Sequence, residues 1–157
     1  MADLQMVGFR VGRESFGIPI AAVHEILRVP EITSMPQAGG AVQGVINLRG
    51  RIIPVVDLRR QLGASDPESS RKNRILVVEA EARMVGLIVD EASEVLRVPA
   101  GEVLPAPQVL GAAEGGYITS VVRRGSRLVL VADLQKLLAE CAAGKGRPAP
   151  KTEEATA

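Results

Sequence analysis

Apolar positions in this chain recur mostly at every second residue, in short bursts separated by polar and glycine-rich breaks. Val7, Phe9 and Val11 alternate with Gly8 and Arg10, the period of a half-buried strand. Gly12 to Ser15 predicts a turn, and Phe16 to Ile20 a returning strand. Ala21 to Leu27 has mixed character and predicts a helical turn leading into a short strand over Ile26 to Val29. Pro30 to Gly40 reads as a loop. Val45-Ile46 and Ile52 to Val56 are β-branched runs flanking a polar knuckle, Asn47 to Arg51. They predict a hairpin in which Gly50 takes a positive φ. Pro54 lies inside the second run, which predicts an edge strand or a bulge. Leu58 to Leu62 predicts a helical turn closed by Gly63, and Ala64 to Asn73 a polar, mobile loop.

The second half repeats the first. A shift of 69 residues carries Glu25-Ile26-Leu27-Arg28-Val29-Pro30 onto Glu94-Val95-Leu96-Arg97-Val98-Pro99, with five identities in six. The same shift superposes Phe16-Gly17-Ile18 on Val85-Gly86-Leu87, and Val7 and Phe9 on Leu76 and Val78. Ile52 to Leu58 matches Leu128 to Leu134 at a shift of 76, so the added residues fall in the loop from Leu104 to Gly116. The repeats span residues 5–63 and 74–139, and each encodes about five short strands. Five short strands with turn residues suit a small barrel, which removes most open edges. Two barrels of this size are marginal alone and should share an apolar interface. The expectation is therefore an all-β fold with minor α content. Leu134, Leu137 and Leu138 have helical spacing and predict a C-terminal helix packed on the body. Residues 142–157, with Gly144, Gly146, Pro148 and Pro150, read as a disordered tail.

Composition narrows the function. Aromatic residues are 2% of the chain, with no Trp, so the core must be built from Val, Ile, Leu and Ala. A formal net charge of +1, with arginines scattered and aromatics missing, disfavours nucleic-acid binding. No apolar run approaches the roughly 18 residues that span a bilayer, and no secretory signal is visible, so a cytoplasmic location without membrane insertion is expected. The single cysteine, Cys141, has no partner for an internal disulfide.

Candidate chemistry is sparse. His24 is the only histidine; with no triad pattern and too few ligands for a metal, it reads as a surface residue. Asp57 and Asp133 repeat at equivalent positions before Leu, and capping of the following helical turn explains them better than acid–base work. The glycines at 44 and 50 lack the spacing of a phosphate loop. No catalytic residue, metal site or cofactor is expected. Arg49 is displayed beside a turn, where its guanidinium can make several directed hydrogen bonds, and Glu25 is a possible ion-pair partner.

The segment GVINLRGRIIPVVDLRRQLG, residues 44–63, resembles the signature of the CheW family, adaptor proteins of bacterial chemosensory arrays, and the flanking chain agrees from about residue 5 to 139. The resemblance implies a single domain of two SH3-like five-stranded barrels. It implies a non-catalytic adaptor that joins the cytoplasmic tip of chemoreceptors to a CheA-type histidine kinase, recruited to arrays at the inner membrane face. Gly44, Arg49 and Ile75 fall in segments resembling the receptor-contact groove, Ile20 and Val23 in the segment resembling the kinase-contact face. A Glu25–Arg49 ion pair is consistent with the family. The alternative is an enzyme or small-ligand binder using a cleft between two barrels.

Overall fold

The alternating runs form strands and the polar breaks reverse them. The structure, a computed structural model, describes residues 3–35, 42–62, 67, 69–106 and 116–142. Its strands are β1 (Leu4–Val11), β2 (Glu14–Pro19), β3 (Val23–Arg28), β4 (Thr33–Ser34), β5 (Val42–Leu48), β6 (Arg51–Asp57), β7 (Arg74–Ala80), β8 (Arg83–Val89), β9 (Glu91–Val98), β10 (Val103–Pro105), β11 (Ile118–Arg124) and β12 (Arg127–Ala132). Two helices, α1 (Leu58–Gln61) and α2 (Leu134–Ala142), and 3-10 turns at Ile20–Ala22 and Ala100–Glu102 complete the described elements. The fold is all-β with minor α content, as expected. Gly63 as a helix stop, the loop over 107–115 and the tail beyond 142 lie outside the described residues.

The strands form two six-stranded sheets, ordered β10-β11-β12-β2-β1-β9 and β3-β7-β8-β6-β5-β4. Each has five strands of six to eight residues plus one short strand, β10 or β4. The repeat is visible in the pairing: β2 runs parallel to β12 in the first sheet, as β8 runs parallel to β6 in the second. Strand order corrects one expectation, that each repeat closes its own barrel. The second sheet is the continuous segment β3 to β8, whereas the first combines β1 and β2 with β9 to β12. The repeats exchange their leading hairpins. The physical reason is edge equivalence: because the two halves present matching strands, either hairpin satisfies either edge. The three-residue turn Ile20–Ala22 then carries the chain across to the second sheet.

Pro54 is also corrected, in part. β6 is not an edge strand, but its parallel ladder to β8 begins only at Val55, one residue after the proline. The missing N–H of Pro54 therefore falls just ahead of that ladder and costs it no hydrogen bond.

The pleat explains why the strands look apolar on both faces. Along β7, Ile75 and Val77 point into the second sheet's own core with Ile46, Ile53, Val55 and Ile88. The intervening Leu76 and Val78 join a larger cluster with Val7, Phe9, Ile18, Val56, Leu87, Val89 and Leu130, contributed by both sheets. A smaller core, Met6, Val98, Val122 and Val129, fills the first sheet. Burial on both faces accounts for unbroken apolar runs. The amphipathic α2 adds Leu134, Leu137 and Cys141 to the shared cluster, so the helix seals the interface between the sheets.

The chain changes sheet twice, at Ile20–Ala22 and at Asp90. At Asp90 a polar network sits among otherwise apolar packing. Arg59 donates from Nε to Asp57 Oδ1 at 2.9 Å and from Nη2 to Oδ2 at 3.0 Å, a fork on one carboxylate. Its Nη1 also lies 3.5 Å from Asp90 Oδ1 and 3.4 Å from Asn73 Oδ1. Asp90 Oδ2 accepts the backbone N–H of Gly12 at 2.7 Å, in the β1–β2 turn of the other sheet. Burial alone would lower the Arg59 pKa, but its hydrogen bonds and charge contacts to Asp57 and Asp90 raise it overall.

Candidate functional site

The β5–β6 hairpin closes with Leu48 opposite Arg51, which leaves Arg49 and Gly50 as a two-residue turn. Gly50 has φ 84°, as its position predicts; Arg49 shares the left-handed region with φ 51°. Positive φ at both central residues is the signature of a type I′ turn, whose twist matches the flanking strands. Arginine pays a steric cost there that glycine would not. Asn47 offsets part of it: its Oδ1 accepts the N–H of Gly50 at 2.9 Å.

Arg49 is therefore in the turn itself, and its side chain leaves the hairpin toward β3. Nη2 donates to Glu25 Oε2 at 2.7 Å. The pair joins β3, at one end of the sheet order, to a hairpin near the other end, and so draws the sheet toward closure. A register shift between Val23 and Glu25 in β3 contributes to the aim of the carboxylate. The hydrogen bond from Arg49 holds the Glu25 carboxyl below its usual value, against a smaller opposing effect of desolvation, and the same bond pushes Arg49 up. The Glu25 side chain is 26% exposed and that of Arg49 66% exposed. Glu25 anchors; Arg49 remains available.

The other candidates divide. Gly44 is buried, and a Cβ there would collide with the carbonyl oxygen of Thr33 and lie 2.8 Å from Ile32 Cγ2. Glycine is required because β4 lies close alongside β5 at that point. Ile75, expected in a segment resembling the receptor-contact groove, is fully buried, so its side chain lines no open groove of the chain alone. It belongs instead to the core beneath β3 and β8, because its neighbours on both strands point inward. Gly44, Arg49 and Ile75 thus do not converge on one surface. Ile20 is exposed at 36%, and Val23 packs partly against the shared core. Both stand at the first crossing between sheets. His24 is exposed. Asp57 caps α1 by accepting the N–H of Arg59 at 3.0 Å, and Asp133 caps α2 by accepting that of Lys136 at 3.1 Å, as their repeat positions predict.

Two features were missed from sequence. One is the Asp57–Arg59–Asp90–Asn73 network. Its signal was a break in the repeat, since the position equivalent to Arg59 is Gln135. The other is a set of exposed apolar residues at repeat-equivalent positions: Ile26 and Val95, Met35 and Leu104, Ile52 and Leu128. Among the described residues no group of three His, Cys, Asp or Glu side chains could hold a metal, and no helix is long and apolar enough to cross a membrane.

An accessible arginine held by Glu25 on one sheet, and paired exposed apolar positions on both, suit an interaction module of two linked β-subdomains. Comparison with known proteins agrees. A family model described as a CheW-like domain matches residues 5–142, and the chain belongs to the CheW-like family. It is 34% identical over 133 residues to a chemotaxis protein CheW of Rhizobium meliloti, covering 85% of this chain and 86% of that one. It is 36% identical over 118 residues to Protein PilI of Pseudomonas aeruginosa, covering 75% and 66% respectively. A crystal structure of the scaffolding protein TtCheW from Thermoanaerobacter tengcongensis superposes with a TM-score of 0.76 at 31% identity, covering 87% of this chain and 92% of that one.

Proposed function

We propose that this chain is a non-catalytic adaptor that couples chemoreceptors to a CheA-type histidine kinase, held in receptor arrays at the inner face of the membrane. The CheW-like domain and its chemotaxis relatives support an adaptor role in chemotaxis over a cleft enzyme. The observation that carries the proposal is Arg49, strained into a left-handed turn yet fixed by Glu25 and exposed. Fixing the guanidinium before binding lowers the ordering cost of a contact, and a bidentate donor suits a polar receptor tip. In this reading Arg49 meets the receptor, while Gly44 and Ile75 support its hairpin from within. Ile20 and Val23, at the crossing between sheets, meet the kinase. A barrel-to-barrel contact would use faces such as those carrying Ile26, Met35 and Ile52, or their repeat partners Val95, Leu104 and Leu128. Coupling then arises from differential binding: a receptor alters kinase output only through contacts that differ between signalling states.

The test is co-sedimentation of purified chain with a receptor cytoplasmic fragment and a CheA-type kinase from the same genome, using wild type, Arg49→Gly and Ile20→Asp. Glycine suits the turn at residue 49, so that variant stays folded. The expected result is lost receptor coupling with retained kinase binding for Arg49→Gly, and the reverse for Ile20→Asp. Normal coupling in Arg49→Gly would reduce Arg49 to turn structure, and a wild-type chain that binds neither partner would remove the adaptor reading.

A further inference from the structure

The far end of the first sheet carries charge that the adaptor role leaves unused. The β11–β12 hairpin closes with Arg124 directly opposite Arg127. Like charges on directly opposed strand positions destabilise a hairpin. Among the described residues neither arginine side chain has a hydrogen-bond or ion-pair partner. The equivalent hairpin in the other sheet is arranged differently: it closes with Leu48 opposite Arg51, and its turn arginine is neutralised by Glu25.

The opposed arginines border a recess of about 180 Å³, also lined by Arg10 from β1, Ser15 from β2 and Leu96 from β9. Its one carboxylate, Glu91, is already engaged by Arg10 at 3.5 Å and Lys72 at 3.4 Å. Arg124 and Arg127 therefore bring unengaged cationic groups from two strands, and Arg10, which also donates to the Gly12 carbonyl, one from a third, with a hydroxyl from a fourth, around an excess of positive charge. Donors converging from several directions suit a tetrahedral group with three acceptor oxygens better than a planar carboxylate. The adjoining apolar surface of Leu96 and Val129 offers room for a compact carbon body.

We infer that this recess is a binding site for the phosphoryl group of a small phosphate ester, with Arg124 and Arg127 as its principal ligands and Arg10 and Ser15 beside them. The inference is independent of the adaptor reading, because the recess lies on the opposite sheet from Arg49. Occupancy would also relieve the repulsion across the closing pair, which gives bound anion a stabilising effect on the hairpin.

Phenyl phosphate, with benzoate as the planar counterpart, is titrated into full-length chain at constant ionic strength, and amide chemical shifts are followed by NMR. Phenyl phosphate is expected to move amides of β1, β2, β11 and β12, with benzoate at least about tenfold weaker. Arg124→Gln and, separately, the exposed Arg127→Gln should each weaken binding about tenfold, the loss of one charge-assisted hydrogen bond. Both variants should keep or raise the urea midpoint because the like-charge opposition is gone, and Arg51→Gln should leave binding unchanged. Equal binding of benzoate, absence of saturable shifts, or undiminished binding in Arg124→Gln or Arg127→Gln would each overturn the assignment.

Discussion

Replacing Arg59 by Ala tests whether the polar network at Asp90 locks the two sheets together. The side chains of Arg59 and Asp57 are 9% and 4% exposed, so the charges are largely removed from water. Truncation deletes the two-pronged contact to Asp57 and the longer approaches to Asp90 and Asn73. Breaking a buried pair from one side costs about 3–5 kcal/mol, because the remaining carboxylate is left uncompensated. Asp57 would retain its bond from the backbone N–H at position 59, and Arg60 Nε stands 3.8 Å away, which together favour the lower end of that range. The expected loss is about 3 kcal/mol, or roughly 6–12 °C in Tm for a chain of this size. Urea unfolding with a fixed m-value measures it. Two controls separate burial from charge. Lys72→Gln breaks an exposed pair and should cost less than about 1 kcal/mol. High salt should leave the Arg59→Ala deficit nearly intact, since buried pairs are weakly screened. A deficit below about 1 kcal/mol, or one erased by salt, would refute the reasoning.

Two further outcomes follow from the candidate site. Gly44→Ala should drive β4 away from β5, because the obstructing atom is a backbone carbonyl; a cost of about 1–3 kcal/mol and faster amide exchange across the Thr33–Val45 pair are expected, and unchanged exchange would count against the close approach. The Glu25 carboxyl, held low by Arg49, contributes stability at pH values above the ordinary glutamate range, and that contribution fades as pH falls through its depressed pKa. In Arg49→Gly its NMR titration should move up toward the ordinary range, and an unmoved midpoint would mean the hydrogen bond is absent in solution.

Much of this architecture was legible in the residues. The alternation at Val7, Phe9 and Val11 defines strand and face together, and the 69-residue shift exposes a duplicated unit in the residues alone. Asp57 and Asp133 announced caps through their position before Leu. Which hairpin joins which sheet was not legible, since a duplicated sequence contains the same edges twice and local pattern cannot rank two equivalent partners. Ile75 illustrates a second limit. Its alternation with Leu76 places the two on opposite faces, but both faces are covered, one by the sheet's own core and one by its neighbour. Arg49 was found by its neighbours rather than by periodicity: a polar knuckle between β-branched runs marks a turn, while the left-handed backbone beneath the arginine left no trace in composition. Asp90 was invisible because its partners come from segments distant in the chain, Gly12, Arg59 and Asn73, and no local spacing links them.

The uneven division of the chain between the sheets sets an order of events during synthesis. Every strand of the β3–β8 sheet has been made once residue 89 leaves the ribosome, so that sheet can assemble while the remainder is still being translated. The β1–β2 hairpin emerges first yet waits longest: its lateral partners, β9 and β12, are among the last strands made. Until then its lateral edges stand unpaired, although Val7, Phe9 and Ile18 can already pack on the completed sheet, and an open edge invites pairing with the wrong strand or with another nascent chain. The terminal segments finally meet within one sheet, where β2 lies beside β12. A nascent chain stopped anywhere before Ala132 would leave that closure incomplete.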